Sequence, residues 1–308
     1  MKKAVKDAAK RLLWHMNDLA SRFGVFVLPN HYYTPIADTR ALAKSRPAWA
    51  KAVPMHGVEM DVTAQIDWLK VWIAPYEAEF RGNRPYKDGV RKGFGPGYGY
   101  IEAQCLYGAI RHLKPKRVIE VGSGVSTGCV LEASQHNVLT NRVPEAQITC
   151  IEPHPRPALR TLPVRIVQTP VEELDPATFD QLEAGDFLFI DSSHAVRPAG
   201  DVLYLYLNVL PRLHPGVLVH IHDIYLPYLY QRDLLTSLFQ WTETALLLAL
   251  LTNNPKMQVL ACLSYLHYEA PEALREVFPE YEHQPSDAGL SDPGTPGHFP
   301  SSIYLLTA

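Results

Sequence analysis

Apolar residues recur at three- and four-residue steps near the start of the chain and settle into a strand–helix alternation after residue 102. Val5, Ala8, Ala9, Leu12, Leu13, Met16, Leu19, Ala20 and Phe23 predict an amphipathic helix over 3–23, ended by Gly24. Residues 25–60 hold several prolines and little period, so extended or irregular chain is expected there. Ile66, Leu69, Val71, Trp72, Ile73 and Tyr76 predict a second helix over 61–80, with Pro75 kinking it or marking its end. Residues 82–99 are rich in Gly, Pro and Tyr and read as a linker or as a lid over a site.

The pattern then alternates. Helices are expected at 102–113, 126–138, 156–161, 176–184, 199–211, 231–251 and 271–278. Short apolar strands are expected at 117–121, 147–151, 164–168, 186–190, 216–222, 257–265 and 302–307, the last after a Pro/Gly-rich loop at 281–300. Such alternation predicts an α/β fold, a doubly wound, mostly parallel sheet with helices on both faces. The expected division is a helical cap with a lid segment over 1–100 and a ligand-binding domain over 101–308.

Composition changes this picture little. A chain of 308 residues, 47% apolar and 20% charged, can bury one α/β core with an N-terminal extension. A net charge of −3 offers no basic excess, so neither nucleic acid nor an anionic membrane is expected as a partner. Cys105, Cys129, Cys150 and Cys262 form no CxxC pair and read as buried, reduced thiols. Met1-Lys2-Lys3 has the look of an export signal, but Lys6, Asp7, Lys10 and Arg11 interrupt the apolar stretch that would have to follow. The longest apolar run, 245–251, is too short to span a bilayer. A cytoplasmic location is therefore expected, and assembly into a homo-oligomer is left open.

Candidate chemistry begins where Arg117-Val118-Ile119-Glu120-Val121 runs into Gly122-Ser123-Gly124-Val125-Ser126-Thr127. Strand, glycine turn and helix make a nucleotide-binding arrangement, because glycines let backbone approach a ligand and free N–H groups at the helix start attract polar groups. Thr127 stands where a dinucleotide fingerprint needs its third glycine, which weakens a pyrophosphate reading. Glu152 ends the second strand, placed to accept hydrogen bonds from two ribose hydroxyls. Glu120 lies inside an apolar strand, where an unpaired charge is costly, so a cationic amino group is expected as its partner.

These residues resemble the class I S-adenosylmethionine (SAM)-dependent methyltransferases over roughly residues 100–308. Glu120-Val121-Gly122-Ser123-Gly124 looks like their first motif and Glu152 like their ribose-binding acid. More narrowly, residues 114–120, His220-Ile221-His222-Asp223-Ile224 and Tyr32-Tyr33-Thr34-Pro35-Ile36 are similar to the bacterial methyltransferase domain 24 branch. The resemblance implies a seven-stranded sheet with its last strand antiparallel. It implies SAM as cofactor, with Gly122, Ser123, Gly124 and Ser126 at its amino-acid end, Val171 bordering the adenine and Asp191 at the crevice. The implied reaction is methyl transfer to an oxygen, or less readily a nitrogen, of a small molecule. A SAM-consuming cyclase or lyase, and a non-catalytic SAM-binding protein, are the alternatives.

Asp191 and His194 follow the fourth strand, and His222 and Asp223 end the fifth, so a parallel sheet brings them to one edge. Two readings stay open. Asp191, His194, His222 and Asp223 could hold a divalent metal, since two imidazoles with carboxylates suit such ions. Alternatively no metal binds, His194 or His222 acts as general base, and Asp191 orients the ring. Metal-dependent O-methyltransferases of this class carry Asp after strand four and an Asp-Asn pair after strand five; Asp191 matches the first, whereas His222-Asp223 departs from the second. His220, deeper in the strand, is read as structural.

Overall fold

The computed structural model describes residues 2–308, and Met1 lies outside them. Helices α1 (Lys2–Ser21), α2 (Thr39–Trp49), α3 (Val62–Ile73), α4 (Glu77–Phe80) and α5 (Arg84–Arg91) precede the sheet. There follow α6 (Tyr100–Leu113), β1 (Arg117–Val121), α7 (Val125–Asn141), β2 (Gln147–Ile151), β3 (Arg165–Val167), β4 (Phe187–Ile190) and α8 (Asp201–Tyr204). The chain closes with β5 (Leu218–His222), α9 (Glu243–Leu251), β6 (Met257–Cys262), α10 (Leu263–Glu269), α11 (Pro271–Val277) and β7 (Ser302–Thr307).

The strands make one seven-stranded sheet in the order β3-β2-β1-β4-β5-β7-β6. β1 to β5 pair in parallel, and β7 runs antiparallel between β5 and β6, as expected. The order reverses between β1 and β4, so a crevice opens beyond their C-terminal ends, where such folds bind ligands.

Strand periodicity divides the core. Val118, Phe187, Phe189, Leu218 and Tyr304 pack on one face against Leu69 and Trp72 of α3, Leu106 of α6 and Val130 of α7. Ile119, Leu188, Ile190, Val219, Ile221 and Ile303 pack on the other, against Val202, Leu205 and Val209. Each such side chain, fully buried, stabilises the fold by about 1.5–3 kcal/mol. His220 and His222 share the parity of Leu218 and therefore face α6. All four cysteines are buried and free. Among the described residues, no helix is long and apolar enough to cross a membrane.

Several sequence expectations need correction. Residues 25–60 are not irregular throughout: Asp38 caps α2 by accepting from the N–H groups of Arg40 and Ala41. The second helix stops at Ile73, where Pro75 begins a tighter turn. Residues 82–99 are not one loop, because α5 forms within them and packs on α7. Gly89, which reads as a loop signal, is there for close approach; a Cβ on it would lie 2.7 Å from Val125 Cγ2.

The helix expected over 231–251 is only α9. The buried Gln231 side chain donates to Phe239 O (2.9 Å) and accepts from Trp241 N (2.7 Å), holding that stretch as turns. Over 176–184 only a short turn forms, at Pro176–Phe179. The sixth strand ends at Cys262, whose N–H donates to Gln65 Oε1 of α3 (2.8 Å), and α10 begins there.

Candidate active site

The first part of the site grows from the end of β1. Gly122 has φ of 90°, and a Cβ on it would lie 2.4 Å from the Asp191 carbonyl oxygen. Only glycine lets the turn pass so close to the end of β4. Val125 then opens α7, and Gly124 N–H donates to Thr127 Oγ1 (3.1 Å). Ser123 Oγ donates to Glu152 Oε2 (3.3 Å), and Glu152 Oε1 accepts from His154 N–H (2.7 Å). Ser123 and Glu152 therefore meet across the mouth of the crevice, at the ends of β1 and β2. Val171 is buried in the turn that follows β3. The Phe94 carbonyl reaches the turn from the other side, 3.4 Å from where a Gly124 Cβ would lie.

Glu120 and Ser126 sit beneath this turn. Glu120 is fully buried, and its two carboxyl oxygens accept from Ser126 Oγ and Thr127 Oγ1, both at 2.6 Å. The partners found for it are hydroxyls of α7 rather than the cationic amino group expected from sequence. Burial raises its carboxyl to about 7, against those two hydrogen bonds, which favour the anion.

The second part lies at the ends of β4 and β5. His194 Nε2 stands 3.3 Å from Asp191 Oδ1 and 3.5 Å from Asp223 Oδ2. His222 Nδ1 stands 3.2 Å from the same Asp191 oxygen and 3.5 Å from the same Asp223 oxygen. Two nitrogens and two oxygens thus alternate round a closed ring. His194 (φ 58°) and Asp223 (φ 54°) both take the left-handed conformation to point into it, at a strain of order 1–3 kcal/mol each.

Each imidazole is gripped from behind. His194 Nδ1 donates to Glu243 Oε2 at 2.9 Å, and His222 Nε2 lies 3.2 Å from Glu102 Oε1. Both glutamates are buried, Glu102 on α6 and Glu243 at the start of α9. The His194 carbonyl also accepts from the N–H groups of Thr242 and Glu243, which ties α9 to the site. Tyr225 Oη and Ser301 Oγ donate to Asp223 Oδ1 at 3.1 and 2.9 Å.

Electrostatics follow from this packing. Burial opposes a charge on His194, but Asp191 and Glu243 outweigh it and raise the imidazole to about 10. Burial is outweighed at His222 too, where Asp223, Asp191 and Glu102 raise it well above the usual histidine range. Burial opposes ionisation of Asp191, but His222 and His194 hold its carboxyl below the carboxylate range. His220 differs. Its Nε2 meets Tyr98 Oη at 3.0 Å, its ring stacks on Phe189, and burial together with the charge of His222 keeps it neutral.

Three of these groups could hold a divalent cation. Bonds of about 2.1 Å in a tetrahedral site put neighbouring ligand atoms about 3.4 Å apart, close to the 3.3 and 3.2 Å from Asp191 Oδ1 to His194 Nε2 and His222 Nδ1. A buried carboxylate on the far nitrogen of each imidazole is the usual support of metal-bound histidine. Asp191, His194 and His222 alone satisfy a three-ligand arrangement, with ligand atoms within 4.8 Å of one another.

The sequence-predicted residues thus divide into two neighbouring groups. Gly122, Ser123, Gly124 and Glu152 gather at one end of the crevice, and Asp191, His194, His222 and Asp223 at the other. Sequence reasoning missed Glu102, Glu243 and Ser301. A signal existed for the two glutamates, since each stands in or beside a strongly apolar helix.

The seven-stranded sheet is the one that the resemblance to class I SAM-dependent methyltransferases implies. Residues 119–224 match the methyltransferase domain 24 family, described as a methyltransferase domain. Among solved structures, the chain is similar to the S-adenosylhomocysteine-bound methyltransferase PaMTH1 of Podospora anserina, with 15% identity, 92% of this chain and 99% of that chain covered, and a TM-score of 0.38. It is also similar to the 1,6-didemethyltoxoflavin-N1-methyltransferase of Burkholderia thailandensis, with 16% identity, 79% and 89% covered, and a TM-score of 0.34. No curated protein sequence matches the chain.

Proposed function

We propose that the chain transfers a methyl group from SAM to a hydroxyl oxygen of a small molecule, and that the Asp191–His194–His222–Asp223 ring prepares that oxygen. The closed ring of four donor atoms carries the reading. When bound, SAM supplies the methyl on a sulfonium: the C–S bond breaks as the new C–O bond forms, its electron pair stays on sulfur, and the acceptor's proton passes to solvent water. Gly122, Ser123 and Gly124 hold its amino-acid end, Glu152 accepts from its ribose hydroxyls and Val171 borders its adenine. Glu120 and Ser126 hold the turn from below. Asp191 abuts Gly122, so it couples the cofactor end to the ring.

Asp191, His194, His222 and Asp223 would hold a divalent cation, which lowers the pKa of a bound hydroxyl. Glu243 and Glu102 fix the two imidazole planes. A metal would compete with protons for His194 Nε2 and His222 Nδ1, which the flanking carboxylates favour in the protonated form, so its binding should weaken as pH falls. Residues 1–100 serve this site as a cap. Leu42 and Trp49 of α2 pack against Tyr230, Leu234 and Leu290.

Methyl-labelled SAM offered with a catechol and with the matching aromatic amine tests the choice of atom. Label on the catechol alone, lost on chelation and restored by a divalent metal, is the expected result. Label on the amine alone, indifferent to chelation, would overturn the reading.

A further inference from the structure

α1 turns its apolar stripe to solvent. Val5, Ala9, Leu12, Met16, Leu19 and Phe23 recur at alternating steps of four and three residues, the spacing of a coiled-coil seam. Packed on the body of the chain, such a stripe would be covered, yet its five larger side chains are 49–80% exposed. The half-buried edge of the helix is a different one, carrying Leu13, Asn17 and Ala20, and Asn17 Oδ1 accepts from Val27 N–H there (3.0 Å). Among the described residues, no α1 side chain is buried or joins the clusters of the core. The segment that follows is tied down at Gln240, whose side chain exchanges two hydrogen bonds with the Ala37 main chain (2.8 Å each).

A helix of 20 residues draws most of its stability from packing of its apolar face rather than from its own hydrogen bonds. Contiguous apolar surface left in water marks an interaction site. Three observations choose the occupant. The spacing makes a narrow seam, into which a second helix of the same spacing fits knob into hole. At roughly 100 Å² for each large side chain, with Ala9 and the helix edge besides, the stripe offers about 600 Å² per copy, so two copies bury about 1,200 Å², the lower end of a specific interface. The charges allow self-pairing in one direction. In sequence, Lys2, Lys3, Lys6, Lys10 and Arg11 crowd the first half of α1 with Asp7 as the one acid among them, and an antiparallel pair sets that half against the other helix's C-terminal end, whose dipole favours cations. A lipid surface fits less well. Trp14 is 72% exposed and stands two positions from both Leu12 and Met16, on the far side with Asp7 and Asp18, whereas a helix lying in a membrane interface turns its tryptophan inward with the apolar face.

We propose that α1 pairs along this seam with α1 of a second copy of the chain, in an antiparallel, two-fold arrangement. The pairing does not depend on the methyl-transfer reading, since no seam residue belongs to the glycine turn or to the Asp191–His194–His222–Asp223 ring. With an area at the low end of specific interfaces, the dimer should dissociate at about micromolar concentration.

Sedimentation velocity on the full chain, over roughly 0.1–100 μM around that dissociation constant, is the test. A shift from monomer to dimer with concentration is expected, and Leu12→Glu combined with Met16→Glu should weaken the dimer by about 100-fold or more. Trp14→Glu, on the far side of the helix, should leave the dimer as it was. Thermal unfolding at the dilute end of the range should coincide for all three proteins, because none of these side chains is part of the core. A wild-type chain that stays monomeric throughout, a dimer that survives the double substitution, or one that Trp14→Glu breaks as readily would overturn the proposal. Vesicles of phosphatidylcholine and phosphatidylserine, spun down with the chain, are expected to leave it in the supernatant. Vesicle binding that the double substitution removes would overturn the proposal in favour of a lipid surface.

Discussion

The two ends of the crevice are built in different ways. At the cofactor end, Gly122, Ser123 and Gly124 are consecutive, and the distant side chain that bonds them among the described residues is Glu152, one strand along. Every feature needed there follows from a strand, a tight turn and a helix start. At the acceptor end, Asp191 and His194 come from the β4 loop, His222 and Asp223 from β5, Glu102 from α6, Glu243 from α9 and Ser301 from the approach to β7. Local geometry fixes the first; tertiary packing assembles the second. The two touch at a single crowded point, where Gly122 passes the Asp191 carbonyl.

Mutation should separate them. The largest effect is expected from Gly122→Ala. A side chain there is strained at φ of 90° and would lie 2.4 Å from Asp191 O. A loss of about 4 kcal/mol in unfolding free energy is expected, from backbone strain plus a clash with main chain. Cofactor affinity and activity should fall together. Denaturant titration of the alanine variant, unchanged from wild type, would contradict the crowding.

Next is Glu120→Gln, which acts beneath the cofactor end alone. Burial raises the folded-state value of Glu120 to about 7, above its ordinary 4.5, so the folded protein holds the proton more tightly than the unfolded chain. Its contribution is full below pH 4.5 and is lost as pH rises through 7, a decline of about 3 kcal/mol. The glutamine variant should lose this part of the pH dependence. Thermal unfolding of both proteins from pH 4.5 to 8 measures it, and parallel curves would show that Glu120 is not the group responsible.

The smallest effect should come from Glu243→Gln, behind the ring. Losing the carboxylate that orients His194 should cost about 10- to 100-fold in metal affinity. SAM affinity should stay as it was. A matching drop in SAM affinity would erase the distinction between the two ends.

The same division explains what could be read from sequence. Seven strands and their order of appearance, the glycine turn, Glu152 and the pairing of β4 with β5 ends were legible, because periodicity and turn chemistry are local signals. The shared face of His220 and His222 followed from strand parity alone. α2 was hidden by Pro47 within it and by the prolines on either side. The helix wrongly extended over 231–242 failed because one buried side chain, Gln231, supplies its own hydrogen bonds to the main chain. Glu102 and Glu243 lay beyond sequence reasoning for a different reason. A carboxylate in an apolar helix announces that a partner exists but not which one, and His222 and His194 are 120 and 49 residues away.

The most direct test is calorimetric titration of the chelator-treated protein with SAM, before and after adding zinc, manganese or iron(II). The account predicts SAM binding in both cases and a separate metal-binding heat that vanishes in His222→Ala. Absence of SAM binding under every condition would contradict the central claim and return the glycine turn to a site for some other nucleotide.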